Sequence, residues 1–145
     1  MIYIIIFFLL LIISALFSSS ETALFNIKLH QDKVSNDLKL ILKSPRKLLI
    51  SILTGNTLVN VAMATIAALY AHELILEGKV SEWVGMFLEV ILVSMIILLF
   101  GEIIPKILAI RYSIKTANFT SPILKVFIFL LYPIANIFYF VMNGI

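Results

Sequence analysis

Cysteine is absent from this 145-residue sequence, which excludes disulfide frameworks, thiolate zinc clusters and thiol chemistry, and leaves the redox compartment unread. Charge is scarce. Only 13% of residues are Asp, Glu, Lys or Arg, about half the usual ~25% of a soluble domain. The formal net charge is +3, and the bases sit beside apolar blocks rather than along one face with interleaved aromatics, so nucleic-acid binding is not expected. Histidine is limited to His30 and His72. Both fall outside the apolar blocks, so no nucleophile–base pair or catalytic ligand set is available for an intramembrane enzyme. Internal repeats and low-complexity tracts are also missing, and pseudo-symmetric transport within one chain has no support.

What the chain has is apolar length. Apolar residues make up 62% and mean hydropathy is +1.13, against roughly 45–50% apolar residues in soluble domains. They fall in long blocks rather than amphipathic stripes, so lipid is the implied solvent. Spans are expected over about 2–24, 48–71 and 84–110, each able to cross a hydrocarbon core of roughly 30 Å. The first block could be mistaken for a signal peptide. No Lys or Arg precedes its apolar run, however, and it continues through Ala23-Leu24-Phe25, so a retained span is expected. A fourth block, 119–141, contains Lys125, Pro122 and Pro133. Proline removes a helix donor and the lysine must snorkel, so a juxtamembrane or in-plane helix is expected there. The fold class is therefore all-α integral membrane.

Loop charge orients the blocks, because Lys and Arg are retained preferentially in the cytoplasm. Lys28, Lys33, Lys39, Lys43, Arg46 and Lys47 crowd the first connection, and Lys106, Arg111 and Lys115 follow the third block. The 72–83 connection instead has Lys79 against Glu73, Glu77 and Glu82. The amino terminus is thus expected outside and both basic connections inside. Leu29, Val34, Leu38, Ile41 and Leu42 make a broken apolar stripe between the lysines of the first connection, which suits a surface helical hairpin.

Polar groups inside spans are costly and so are candidate functional sites. Ser14, Ser18, Glu21 and Thr22 share one helical face of block one, a ladder of oxygens ending in a carboxylate. Hydroxyls also bond back to their own helix or to a neighbour, and for Ser14 and Ser19 that bland role is the expected one. Asn56 and Asn60 lie one turn apart in Gly55-Asn56-Thr57-Leu58-Val59-Asn60. They can act as interhelical glue or as neutral oxygen ligands for a hard cation. In Gly101-Glu102-Ile103-Ile104-Pro105-Lys106, Pro105 deprives the Gly101 carbonyl of its helical donor, so a bend or unwound turn is expected there. Glu102 would add negative charge, or would pair with Lys106 one turn on. Oxygen is the only donor type in these clusters, which favours Mg2+, Ca2+, Mn2+ or Na+ over zinc or copper.

The strings Leu16-Phe17-Ser18-Ser19-Ser20-Glu21-Thr22-Ala23-Leu24, Gly55-Asn56-Thr57-Leu58-Val59-Asn60 and Gly101-Glu102-Ile103-Ile104-Pro105-Lys106, in that order, resemble the transmembrane domain of the CNNM/CorC magnesium transporter family. The resemblance covers essentially the whole chain and departs from it at Ser19. It implies a homodimer with three spans and juxtamembrane helices per protomer in the plasma membrane. It further implies a Mg2+ site drawn from Ser18, Ser20, Glu21, Asn56, Asn60, Gly101 and Glu102, with Pro105 completing the third motif. Mg2+ export coupled to Na+ entry is the activity it suggests. Its cytosolic CBS modules have no counterpart in these residues, and they are expected in a longer full-length protein.

The leading expectation is therefore a Mg2+-transporting membrane domain, and the alternative is a Mg2+-sensing membrane protein that modulates another channel. Topology is testable directly. With Lys39→Cys and Lys79→Cys made singly, an impermeant thiol reagent added outside intact cells is expected to label position 79 and not position 39; labelling of both would overturn the assignment.

Overall fold

The structure is a computed structural model and describes residues 1–27, 36–43 and 45–144. Five helices are formed by the described residues: α1 (Ile2–Ile27), α2 (Asn36–Leu42), α3 (Pro45–Leu76), α4 (Glu82–Arg111) and α5 (Ser113–Asn143). Four of them, α1, α3, α4 and α5, are long and apolar enough to cross a membrane. Each of the first three overruns its expected span by a few residues at one or both ends. Hydropathy marks only the part in hydrocarbon, whereas backbone hydrogen bonding carries the helix on into the headgroup region.

The structure adds detail to two expectations. The fourth block is one continuous 31-residue helix that starts at Ser113 and runs through both Pro122 and Pro133; its part up to Ile134 is a candidate span by length and composition, criteria that say nothing of its tilt. At Pro105 the expected bend or unwound turn takes the form of a wider, π-helical pitch. Helix α4 is π-helical over Leu88–Val93 and again over Ile97–Ile103, and the Ile104 N–H donates to the Leu99 carbonyl, five residues back. The wider register takes up the missing proline donor without breaking the rod. Of the expected hairpin between α1 and α3, helix α2 accounts for the second half, and residues 28–35 lie outside the described residues.

Helices α1 and α3 pack side by side and antiparallel. Tyr3 meets Tyr70 with ring centroids 6.3 Å apart, and Phe17 reaches Gly55 near the other end. The close approach depends on the glycine: a Cβ at Gly55 would stand 2.6 Å from the Phe17 ring. Phe17 is also held edge-on against Phe127 of α5, at 5.0 Å between centroids. Around it Ala23, Leu24, Leu48, Ile52, Ala109, Ala117 and Leu124 make the buried core. Ser14, Ser18, Ser20, Ser51, Thr120 and Ser121 are buried beside it. Small and hydroxyl side chains at helix contacts are what association in lipid requires, because apolar burial gives little when the solvent is itself apolar.

The α3–α4 connection is a tight turn. Gly78 adopts a left-handed φ of 71°, and the Gly78 and Lys79 N–H groups donate back to Ile75 and Leu74 at 3.0 Å, closing the end of α3. Ser81 then caps α4, its Oγ accepting from the Val84 N–H. In this turn Glu77 hydrogen-bonds Lys79 and raises its pKa, though an exposed pair of this kind contributes little to stability.

Since Phe17 is wedged between Gly55 and Phe127, Gly55→Ala is expected to cost about 1–3 kcal/mol through overpacking. Phe17→Leu in the same protein should recover most of that. Thermal unfolding in detergent reads both, and a Gly55→Ala protein as stable as its parent would show that the contact has slack.

Candidate functional site

The polar residues of three helices meet at mid-length. From α1 the Ser14 Oγ donates toward Asn60 Oδ1 at 2.9 Å and toward Asn56 Oδ1 at 3.2 Å. From α3 the Asn60 Nδ2 donates to Glu102 Oε1 of α4 at 3.3 Å. Gly101 allows this convergence, because a Cβ there would lie 3.1 Å from Ser14 Oγ and 3.5 Å from Leu11 Cδ1. Glu102 bonds to Asn60 rather than to Lys106, so the alternative role as an intrahelical ion pair is not the one the structure shows. Among the described residues the ion pair within 4.0 Å is Lys79–Glu77.

The donors and acceptors do not balance. In the orientation the amides adopt, Ser14 has one hydroxyl proton facing two amide oxygens, so it serves one of them fully at a time. One turn along α1, the buried Ser18 Oγ has no hydrogen-bond partner among the described residues. Buried oxygens without donors are costly in an apolar setting. Ser18 Oγ is such an oxygen, and with the Asn56 and Asn60 amide oxygens it lies on the faces that meet the half-buried Glu102 carboxylate, a donor set of the kind a hard cation takes. Among the described residues no group of three or more His, Cys, Asp or Glu could hold a metal ion. The cluster itself combines the neutral oxygens of Ser14, Asn56 and Asn60 with the Glu102 carboxylate.

Of the residues named from sequence, Asn56, Asn60, Gly101 and Glu102 come together, with Ser18 on the adjoining turn. Ser20 does not join them. Its hydroxyl donates to the Leu16 carbonyl, and it borders a crevice with Thr120, Leu124 and Phe127 of α5. Glu21 lies further toward the basic end, half-exposed, in a cavity of about 280 Å3 shared with Arg46, Leu42 and Ile52. Ser14 is the residue that sequence reasoning placed in a bland role. It does bond to a neighbouring helix, as that role supposes, yet it is the contact on which both asparagines converge. Its spacing of four residues from Ser18 was the available signal.

The geometry defines a class: a helical membrane protein whose candidate spans α1, α3 and α4 are tied by a cluster rich in oxygen acceptors. Residues 4–145 match the family model described as the Cyclin M transmembrane N-terminal domain, CNNM, and the chain belongs to that family. It is 31% identical over 139 residues to a UPF0053 protein of Haemophilus influenzae, covering 88% of this chain and 32% of that protein. It is 26% identical over 130 residues to the UPF0053 inner membrane protein YfjD of Escherichia coli K12, covering 84% and 29%. A DUF21 domain-containing protein of Arabidopsis thaliana is 33% identical over 78 residues, 54% of this chain and 18% of that protein. The chain thus spans about a third or less of the length of these relatives, which carry further sequence.

Proposed function

We propose that this membrane domain moves Mg2+ across the bilayer through the cluster of Ser14, Asn56, Asn60 and Glu102, with Ser18 and the Gly101 backbone adding oxygens. The observation that carries the reading is the imbalance at Ser14, one donor facing two amide oxygens beside the orphaned Ser18 hydroxyl. Mg2+ sheds water reluctantly, so neutral oxygens that replace or hold its waters suit it. A single carboxylate attracts the ion without trapping it, as release requires. Family membership supports export as the direction and Na+ entry as the coupled flux, with CBS domains in the longer protein as cytosolic partners.

In this reading α1, α3 and α4 cross the plasma membrane with the amino terminus outside, and α5 lies along the cytoplasmic boundary. Support for the last point is geometric. Helix α5 begins just past Arg111, at a basic end. Tyr132, far along it, accepts a hydrogen bond from Lys47 Nζ at 3.5 Å, and that ammonium lies 4.9 Å and 5.7 Å from the Tyr132 and Tyr139 ring centroids. Lys47 marks the basic end of α3. A helix that returns to the basic side after five turns runs across the bundle rather than through it.

The functional protein in this reading is a homodimer. Helix α4 is the least enclosed of the four long helices and exposes Val90, Phe100 and Ile107, while Glu102 keeps one side open. Native mass spectrometry from mild detergent should give a dimer, and a strictly monomeric protein that still transports would refute this part.

Purified protein should bind Mg2+ by calorimetry and pass it into sealed liposomes with no other protein present; binding without flux would assign the sensor role instead. Glu102→Gln, which keeps volume and hydrogen bonding, is expected to weaken binding by more than about tenfold, or ~1.4 kcal/mol. Ser14→Ala, Asn56→Ala and Asn60→Ala should each cost less, about 1 kcal/mol. Pro105→Ala should also weaken binding, since the restored N–H lets α4 return to α-helical pitch and shifts Glu102. Normal Mg2+ binding by the entire set would make the cluster packing alone.

A further inference from the structure

Beyond the polar cluster, toward the α3–α4 turn, a cavity of about 260 Å3 opens between α1, α3 and α4. Phe7 and Phe8, Ile66 and Ala67, and Ile96 and Glu89 are among the residues that line it. None of Ser14, Asn56, Asn60 and Glu102 does. A layer of side chains must therefore stand between the cavity and the cluster, and the antiparallel register of α1 and α3 identifies it. Tyr3 faces Tyr70, Ser14 faces Asn56 and Asn60, and Phe17 faces Gly55. In that register Leu11 stands opposite Met63.

Leu11 is one turn from Ser14 in the direction of the cavity, and Met63 is one turn from Asn60 in the same direction. Both are buried, Met63 with 0% of its surface exposed. Leu11 also closes against α4, its Cδ1 lying 3.5 Å from where a Cβ would stand on Gly101. The layer offers no oxygen or nitrogen side-chain atom to a hydrated ion, and a constriction of that kind excludes water and ions by dewetting.

We propose that Leu11 and Met63 form the extracytoplasmic seal of the cation path, closing the Ser14, Asn56, Asn60 and Glu102 site from the outer cavity. The proposal rests on the site and orientation given under Proposed function. Methionine suits a seal that must open, because its unbranched, flexible side chain can swing aside while the backbone stays in place. The outer cavity is itself almost wholly apolar, and among the described residues Glu89 is the one carboxylate on its lining. With about 3.6 residues per turn, Glu89 and Glu102 would point to nearly opposite faces of α4. The two π-helical stretches turn each residue through a smaller angle, and both carboxylates reach the groove formed with α1 and α3. Glu89 lines the cavity with Tyr3 and Tyr70, and Glu102 accepts from Asn60.

Because the sequence contains no cysteine, Asn60→Cys introduces a single thiol at the cluster. A membrane-impermeant cationic thiol reagent is applied from either side of oriented membrane vesicles, with Lys39→Cys and Lys79→Cys reporting the sides. In the Asn60→Cys protein, modification is expected from the cytoplasmic side and not from outside. Adding Met63→Ala or Leu11→Ala should raise the rate from outside by at least about tenfold, as removal of a dewetted constriction requires, while Met63→Leu should leave it closed. Size-exclusion profiles identify folded variants, and if Met63→Ala fails to fold, Leu11→Ala carries the comparison. Outside labelling with the layer intact, or no gain in the folded alanine variants, would overturn the seal. Absence of Mg2+ binding by the unmodified protein would instead remove the transport reading and leave the labelling result standing by itself.

Discussion

Asn60 sits where three helices must agree. Its amide nitrogen donates to Glu102 on α4 and its oxygen accepts from Ser14 on α1, so one side chain on α3 fixes the rotation of both neighbours about their axes. In water such bonds would compete with solvent and contribute little. Within hydrocarbon there is no solvent to take their place, and a rotation that broke them would leave buried polar atoms unpaired. The packing of the bundle follows from satisfying this cluster as far as its atoms permit. What they leave unsatisfied is the basis for assigning it a ligand.

Such an arrangement needs helices that come close at two levels. Gly55 admits the Phe17 ring on one side of the cluster, and Gly101 admits Ser14 and Leu11 at its centre. Both glycines act through the absence of a Cβ rather than through unusual backbone angles. The pitch of α4 does the remaining work. The π-helical stretch that ends at Ile103 accommodates Pro105, and together with the separate stretch over Leu88–Val93 it sets which faces Glu89 and Glu102 present.

Much of the candidate site is readable from spacing alone. Asn56 and Asn60 are one turn apart, and Gly101 and Glu102 lead into a proline; these patterns imply a common face and a perturbed helix without knowledge of the neighbours. Ser14 could not be ranked above Ser20 in that way, because both are small hydroxyl residues on one apolar helix. Their difference lies in what faces them: α3 amides in one case, the mostly apolar α5 residues Thr120, Ile123, Leu124 and Phe127 in the other. The Glu102–Lys106 spacing was equally open to an ion pair, and only the position of Asn60 resolves it.

The sequence by itself determined that the chain is helical and lipid-embedded, where its long apolar helices lie, which connections are basic and which residues carry oxygen into the membrane. Those properties reside in composition, block length and period, which are local. Tertiary structure decided that α4 runs through Pro105 with a π-helical pitch, that α5 is one helix through two prolines, and that Ser14 meets Asn56 and Asn60. These depend on register between helices far apart in the chain. Many rotations bury apolar surface equally well against lipid, and only direct contacts between side chains select among them.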